Sequence, residues 1–158
     1  MKILKPTSEL NLHSRYEEQI ENLTDRNIPY AGMDFHCESL KRKYRNCLHR
    51  PVGPTGKFNC HGLTFASRRT AIDGSVVEKI LREDEYREVQ LQDVKTGDIV
   101  VYRNGADVPH SGLVVRGFPD IWILSKWGAA HEVVHGVDDC DYVGHKTFYR
   151  IIDEIPRL

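Results

Sequence analysis

Long apolar runs are missing from this 158-residue chain; no stretch approaches the roughly 20 residues that a bilayer-spanning helix needs. Neither sign of charge is in excess, with 22 Lys+Arg against 23 Asp+Glu and a formal net charge of −1. That balance offers no basic footprint for nucleic acid and no acidic tail. No CxxC pair occurs, and the four cysteines (Cys37, Cys47, Cys60, Cys140) are unevenly spaced. The opening residues, MKILKPTSELNLHSRYEE, hold only a short apolar cluster before Lys5-Pro6 and so lack the form of a signal peptide. Reduced thiols, synthesis in the cytoplasm and no disulfide framework are the expectation; delivery by a dedicated secretion machine stays open. Repeats, low-complexity tracts and interdomain linkers are absent too. With 40% hydrophobic and 28% charged residues, the chain has the composition of one globular domain.

What is present divides into a helical half and a strand half. Leu12, Tyr16, Ile20 and Leu23 recur at three- and four-residue steps and predict an amphipathic helix near residues 8–26. A loop with Pro29 and Gly32 comes next. HCESLKRKYRNCLHR reads as a basic helix with a solvated face, closed by Arg50-Pro51 and the turn-rich PVGPTG. A helix is expected from Cys60, capped by Asn59; Gly62 inside it costs helix propensity and implies a steric reason for its presence. Ser75 and Glu78 form a capping-box pattern ahead of Ile80 and Leu81. Beyond Val89 the period changes. GDIVVYRNG, HSGLVVRG, IWILSKWG, HEVVHG and HKTFYRII read as five strands, the first closed by Asn104-Gly105. Helices succeeded by an antiparallel meander give the α+β class.

GKFNCHGLTFAS, residues 56–67, carries the chemistry. A thiol at a helix start is drawn toward thiolate by the free amides and partial positive charge there, and the same amides can receive an oxyanion. Cys60 occupies such a place. His110 opens a predicted strand after a loop, where an imidazole can reach a helix end and act as base, with a third polar group holding its ring.

NCHGLTF at 59–65, VKTGDIVVY at 94–102 and HSGLVV at 110–115 together resemble the NlpC-like branch of the papain-like cysteine peptidases and amidases. The resemblance covers roughly residues 55–126. It implies a papain-like single domain, with residues 1–54 as a helical region of that domain and 55–158 as its catalytic core. It further implies Cys60 as nucleophile, His110 as general base and an orienting residue on the next strand, for which Ser125 is first choice, ahead of Lys126, His131 and His135. The backbone amide of His61 would serve the oxyanion, helped by Tyr44 or Tyr30. His61 stands where the family has serine, and the usual third imidazole is missing. The implied activity is hydrolysis of an amide through a thioester, with no cofactor. The implied substrate is a peptide, a peptidoglycan peptide or a protein amide, with no nucleic-acid or membrane partner.

Other readings stand beside it. A protein deamidase or isopeptidase acting as an effector toxin and a catalytically inactive papain-like binding module both remain open. Cys37, Cys47, His49, Cys60 and His61 lack the tight pairs of a structural zinc site. HEVVH, His131 to His135, carries the letters of a zinc-hydrolase motif, but Val133-Val134 favours a strand, which does not put the two imidazoles on one helix face.

Overall fold

Alternation of apolar residues in the second half of the chain builds the centre of the molecule. The computed structural model describes residues 10–23, 31–51 and 53–152. Strands β1 (Leu48–His49), β2 (Tyr86–Val89), β3 (Ile99–Asn104), β4 (Asp107–Arg116), β5 (Trp122–Lys126), β6 (Glu132–Gly136) and β7 (His145–Ile151) form one antiparallel sheet, ordered β1-β6-β5-β4-β3-β7-β2. The five expected strands are all there. The two short edge strands have no alternating pattern of their own and went unread.

Successive side chains leave a strand on opposite faces, and the pairing Tyr102↔His110, Val101↔Ser111 and Val100↔Gly112 carries that alternation across the sheet. On one face Ile99 and Val101 pack with Val77 and Leu81 of α3 (Val77–Glu83), while Leu113 and Leu124 meet Leu63 of α2 (Cys60–Ala66). On the other, Val100, Tyr102, Val114, Ile123 and Phe148 form a second core. Helix α1 (Met33–Lys43) adds Cys37 and Leu40 to a cluster around Trp127, Ala130 and Val133.

Residues 10–23, the described part of the expected amino-terminal helix, are not helical. Residues 10–23 run as an extended, turned segment: Ser14 N donates to Glu18 O at 2.8 Å, Ile20 N to Leu12 O at 2.8 Å, and Leu23 exchanges backbone hydrogen bonds with Ala71. Ile20 is buried against Ala66, Ile72 and Ile80, with Leu12 packed alongside, whereas Tyr16 points outward at the turn, 59% exposed. The helical spacing was matched by residues a hairpin brings together, and tertiary packing overrode it. The expected helix over 36–50 sits at 33–43 instead, since the chain turns at Tyr44 to enter β1. Asp73, rather than Ser75, caps the turn into α3, its carboxylate accepting from Ser75 N at 2.9 Å. Among the described residues, a seven-stranded sheet with three short α-helices therefore replaces the papain-like architecture of amino-terminal helices packed on a sheet.

The Gly97-Asp98 pair opening β3 is a structural lock. Gly97 has φ +96°, a conformation glycine adopts without strain. Asp98, 1% exposed, accepts from Lys95 N at 2.9 Å and from Arg150 Nε and Nη2 at 2.6 and 2.8 Å, so one carboxylate ties the turn to β7. Asp98→Ala is expected to lower stability by about 2 kcal/mol, below the ~3–5 kcal/mol of a fully buried broken pair because Arg150 reaches solvent. Urea unfolding of both proteins checks this; an unchanged midpoint would refute the lock.

Candidate functional site

Helix α2 begins where the sequence placed it. Asn59, in an extended conformation, accepts from Gly62 N at 2.9 Å and from Ile72 N at 3.1 Å, and its Nδ2 donates to Ile72 O at 2.7 Å. It therefore caps the helix and fastens it to residues 70–72.

Cys60 is buried at the first helical position, its Sγ 4.0 Å from Pro109 O. Burial pushes the thiol up to about 11, while the amides of Ser111, His61 and Cys60 and the charge of Lys126 pull the other way. Desolvation outweighs the helix start, and the thiol is held protonated. His61, at 3% exposure, hydrogen-bonds Val108 O through Nε2 at 3.0 Å and Ser111 Oγ through Nδ1 at 2.8 Å. The carbonyl can only accept, so a ring proton sits on Nε2, and Ser111 Oγ, which also bonds Thr64 Oγ1 at 3.0 Å, meets Nδ1. Burial lowers this imidazole to about 4.

His110 is fully buried and, among the described residues, neither ring nitrogen has a hydrogen-bond partner; it makes no hydrogen bond to Cys60. Its side chain leaves β4 on the face opposite Ser111, the neighbour that contacts α2 through His61. There it stacks on Tyr142 (centroids 3.7 Å apart, planes at 2°) and meets the edge of Tyr102 at 5.2 Å. Burial, then the nearby imidazoles of His135 and His61, hold it well below its usual range.

Ser125 Oγ bonds His135 Nε2 at 2.8 Å, and His135 Nδ1 donates to Gly136 O at 2.8 Å. Ser125 thus orients His135 rather than His110. Lys126 is buried with Nζ on Thr55 O at 3.0 Å and Gly128 O at 2.7 Å. Tyr44 donates to Asp141 and sets its ring edge on Trp127 at 4.9 Å; Tyr30 lies outside the described residues. His131 pairs with His49 (Nε2 to Nδ1, 2.6 Å), whose Nε2 donates to Tyr44 O at 2.8 Å. HEVVH runs from His131 into β6, with its two imidazoles serving different partners. Among the described residues no group of three or more His, Cys, Asp or Glu is placed to hold a metal ion.

Two features escaped the sequence reading. Tyr142 covers His110 from the 138–144 stretch, DDCDYVG, where no local pattern marks it. Glu132, fully buried, takes Arg68 Nε at 2.5 Å and Nη2 at 2.9 Å, with Arg50 Nη1 at 3.5 Å. It ties β6 to the end of α2 and to the segment after β1.

A family profile, the P-type ATPase actuator domain, matches residues 73–121, less than a third of the chain. No curated protein and no solved structure matches it. The profile match overturns the NlpC-like papain assignment. With that assignment go the cysteine peptidase or amidase activity, the deamidase or isopeptidase effector, the inactive papain-like module and the HEVVH zinc hydrolase. No helix among the described residues is long and apolar enough to cross a membrane. What these residues are similar to is the actuator domain of P-type ATPases, over the stretch from the turn before α3 to the start of β5.

Proposed function

We propose that the chain is a non-hydrolytic module of actuator type, which passes a conformational change to a P-type ATPase-like partner by docking. The observation that carries this reading is the profile match to residues 73–121, which falls on consecutive elements α3, β2, β3 and β4. The sealed interior supports it. Cys60, His61, His110 and Ser125 are buried, and their role is to pack and bond the core, as Tyr44 does at the end of α1. Three exposed apolar side chains lie within the matched stretch: Leu91, Val115 and Phe118. Their backbones are neighbours, with Val94 N donating to Leu91 O at 3.3 Å, Phe118 N to Val94 O at 3.0 Å and Thr96 Oγ1 to Val115 O at 3.1 Å. They supply the contact.

Two measurements test the reading. Titrated into a purified P-type ATPase, the chain is expected to change ATP turnover at saturation, and Phe118→Asp to abolish the effect; turnover unaffected by the chain overturns it. Labelling with iodoacetamide at pH 7 is expected to reach Cys60 at least about tenfold more slowly than half-buried Cys47, since a buried, protonated thiol reacts only on opening. Cys60 labelled ahead of the other three would sink the proposal.

A further inference from the structure

The register of the β1 edge brings two cysteines to one end of the sheet. Leu48 pairs with Val134 and His49 with Val133, so Cys47 continues toward His135 at the end of β6. There the chain reverses, Asp139 N donating to Gly136 O at 2.8 Å, and Cys140 returns to the same end. Cys47 Sγ lies 3.8 Å from Asp139 O, the residue next to Cys140. Both thiols are half-buried and free, and both pack on the cluster of Cys37, Leu40, Trp127, Ala130 and Val133.

The two residues after Cys140 give the pair its consequence. Asp141 accepts from Lys43 and Tyr44 at the end of α1, and Tyr142 stacks on His110. Residues 138–144 therefore form a strap over an imidazole whose nitrogens have no partner among the described residues, and Cys47 stands beside the strap on the chain leaving α1.

We infer that Cys47 and Cys140 form a thiol–disulfide modification site: a low-molecular-weight disulfide converts them to an intramolecular bridge that fixes the strap over His110. Thiolate at Cys47 attacks one sulfur of the reagent, displacing one thiol and leaving a mixed disulfide. Thiolate at Cys140 then attacks the Cys47 sulfur and expels the second thiol. The two cysteines are oxidised by two electrons, the reagent is reduced to two thiols, and the two cysteine protons pass to them. Burial, then Asp139 and Cys140, pushes the Cys47 thiol up to about 11, so the rate is expected to climb about tenfold per pH unit between 7 and 9.

The reduced chain is incubated with glutathione disulfide at pH 8.5, alkylated, digested and mapped by mass. A linked Cys47–Cys140 peptide is expected, with Cys37 and Cys60 alkylated. The unfolding midpoint is expected to rise by on the order of 10 °C, as closing a long loop does for a chain of this size. In Cys47→Ser and Cys140→Ser alike, the link and the rise should vanish and the remaining cysteine should carry glutathione. Glutathione on both cysteines without a link, a link to Cys37, or neither thiol modified would overturn the inference.

Discussion

Gly62→Ala is expected to abolish the folded state, although alanine is the better helix former by about 1 kcal/mol. A Cβ built at Gly62 would lie 1.8 Å from Thr70 O, 2.9 Å from Thr70 C and 3.2 Å from Phe58 Cβ. The obstruction is backbone, and it is held in place. Thr70 Oγ1 donates to Asn22 Oδ1 at 2.9 Å, Ala71 is paired with Leu23, and Ile72 is gripped at both its N–H and its carbonyl by Asn59. Moving Thr70 away breaks these bonds; moving α2 away opens the Leu63 and Ala66 contacts, both almost fully buried. Either route costs more than about 4 kcal/mol, the range of severe overpacking combined with lost buried hydrogen bonds. Soluble yield and urea unfolding read the result. Gly105→Ala is the control: a Cβ there meets nothing within 4 Å, with φ at +61°, so the loss should stay near about 1 kcal/mol. A Gly62→Ala protein as stable as its parent would show that residues 70–72 yield, and the steric account of α2 would fail.

That glycine also shows what was legible in the sequence. Its cost inside a helical pattern pointed to a close neighbour, and Thr70 supplies one. Asn59 was readable as a cap because its side chain needs only the amides directly after it, and the five long strands were readable from alternation and turn residues. The failures share a cause: they depended on partners far along the chain. Leu12 and Ile20 satisfy a helical period and equally a hairpin, and only the Ala66, Ile72 and Ile80 cluster decides between them. Cys60 sits at a helix start, yet it is buried beside Pro109, so desolvation rather than the helix sets its ionisation. The VKTGDIVVY stretch suggested one family and matches the profile of another; its Gly-Asp pair makes a turn lock through Arg150, a device that reports local geometry more than chemistry.

Stability is expected to fall steeply between pH 6.5 and 4. His61, His110, His131 and His135 are each at most 4% exposed. Burial is the leading cause that lowers all four, to about 4 for His61 and for His131. Their surroundings fix the neutral form: Val108 O and Gly136 O each take one ring proton, hydroxyls of Ser111 and Ser125 occupy the second nitrogens, and His131 donates to His49. Asp73 favours a charged His61 and Asp139 a charged His135, while Lys41, His36 and His49 oppose charge on His131 against Glu38. Unfolded histidine takes up its proton near about 6.5. Above that pH both states are neutral and full stability is present. Below it the unfolded state binds protons the folded state refuses, so stability declines until the folded groups titrate in turn. His61 alone accounts for a loss of about 3 kcal/mol over this window, at about 1.4 kcal/mol per unit of displacement. The lowered carboxylates, Asp73 and Asp141 among them, act only at lower pH, so the two effects separate. Urea unfolding at pH 7.5, 6 and 5 should show the decline. His110→Phe should make it shallower, because that ring loses a titration and no hydrogen bond. A flat profile from pH 7 to 5, or a Phe variant with the parent's slope, would mean that these imidazoles admit protons in the folded state.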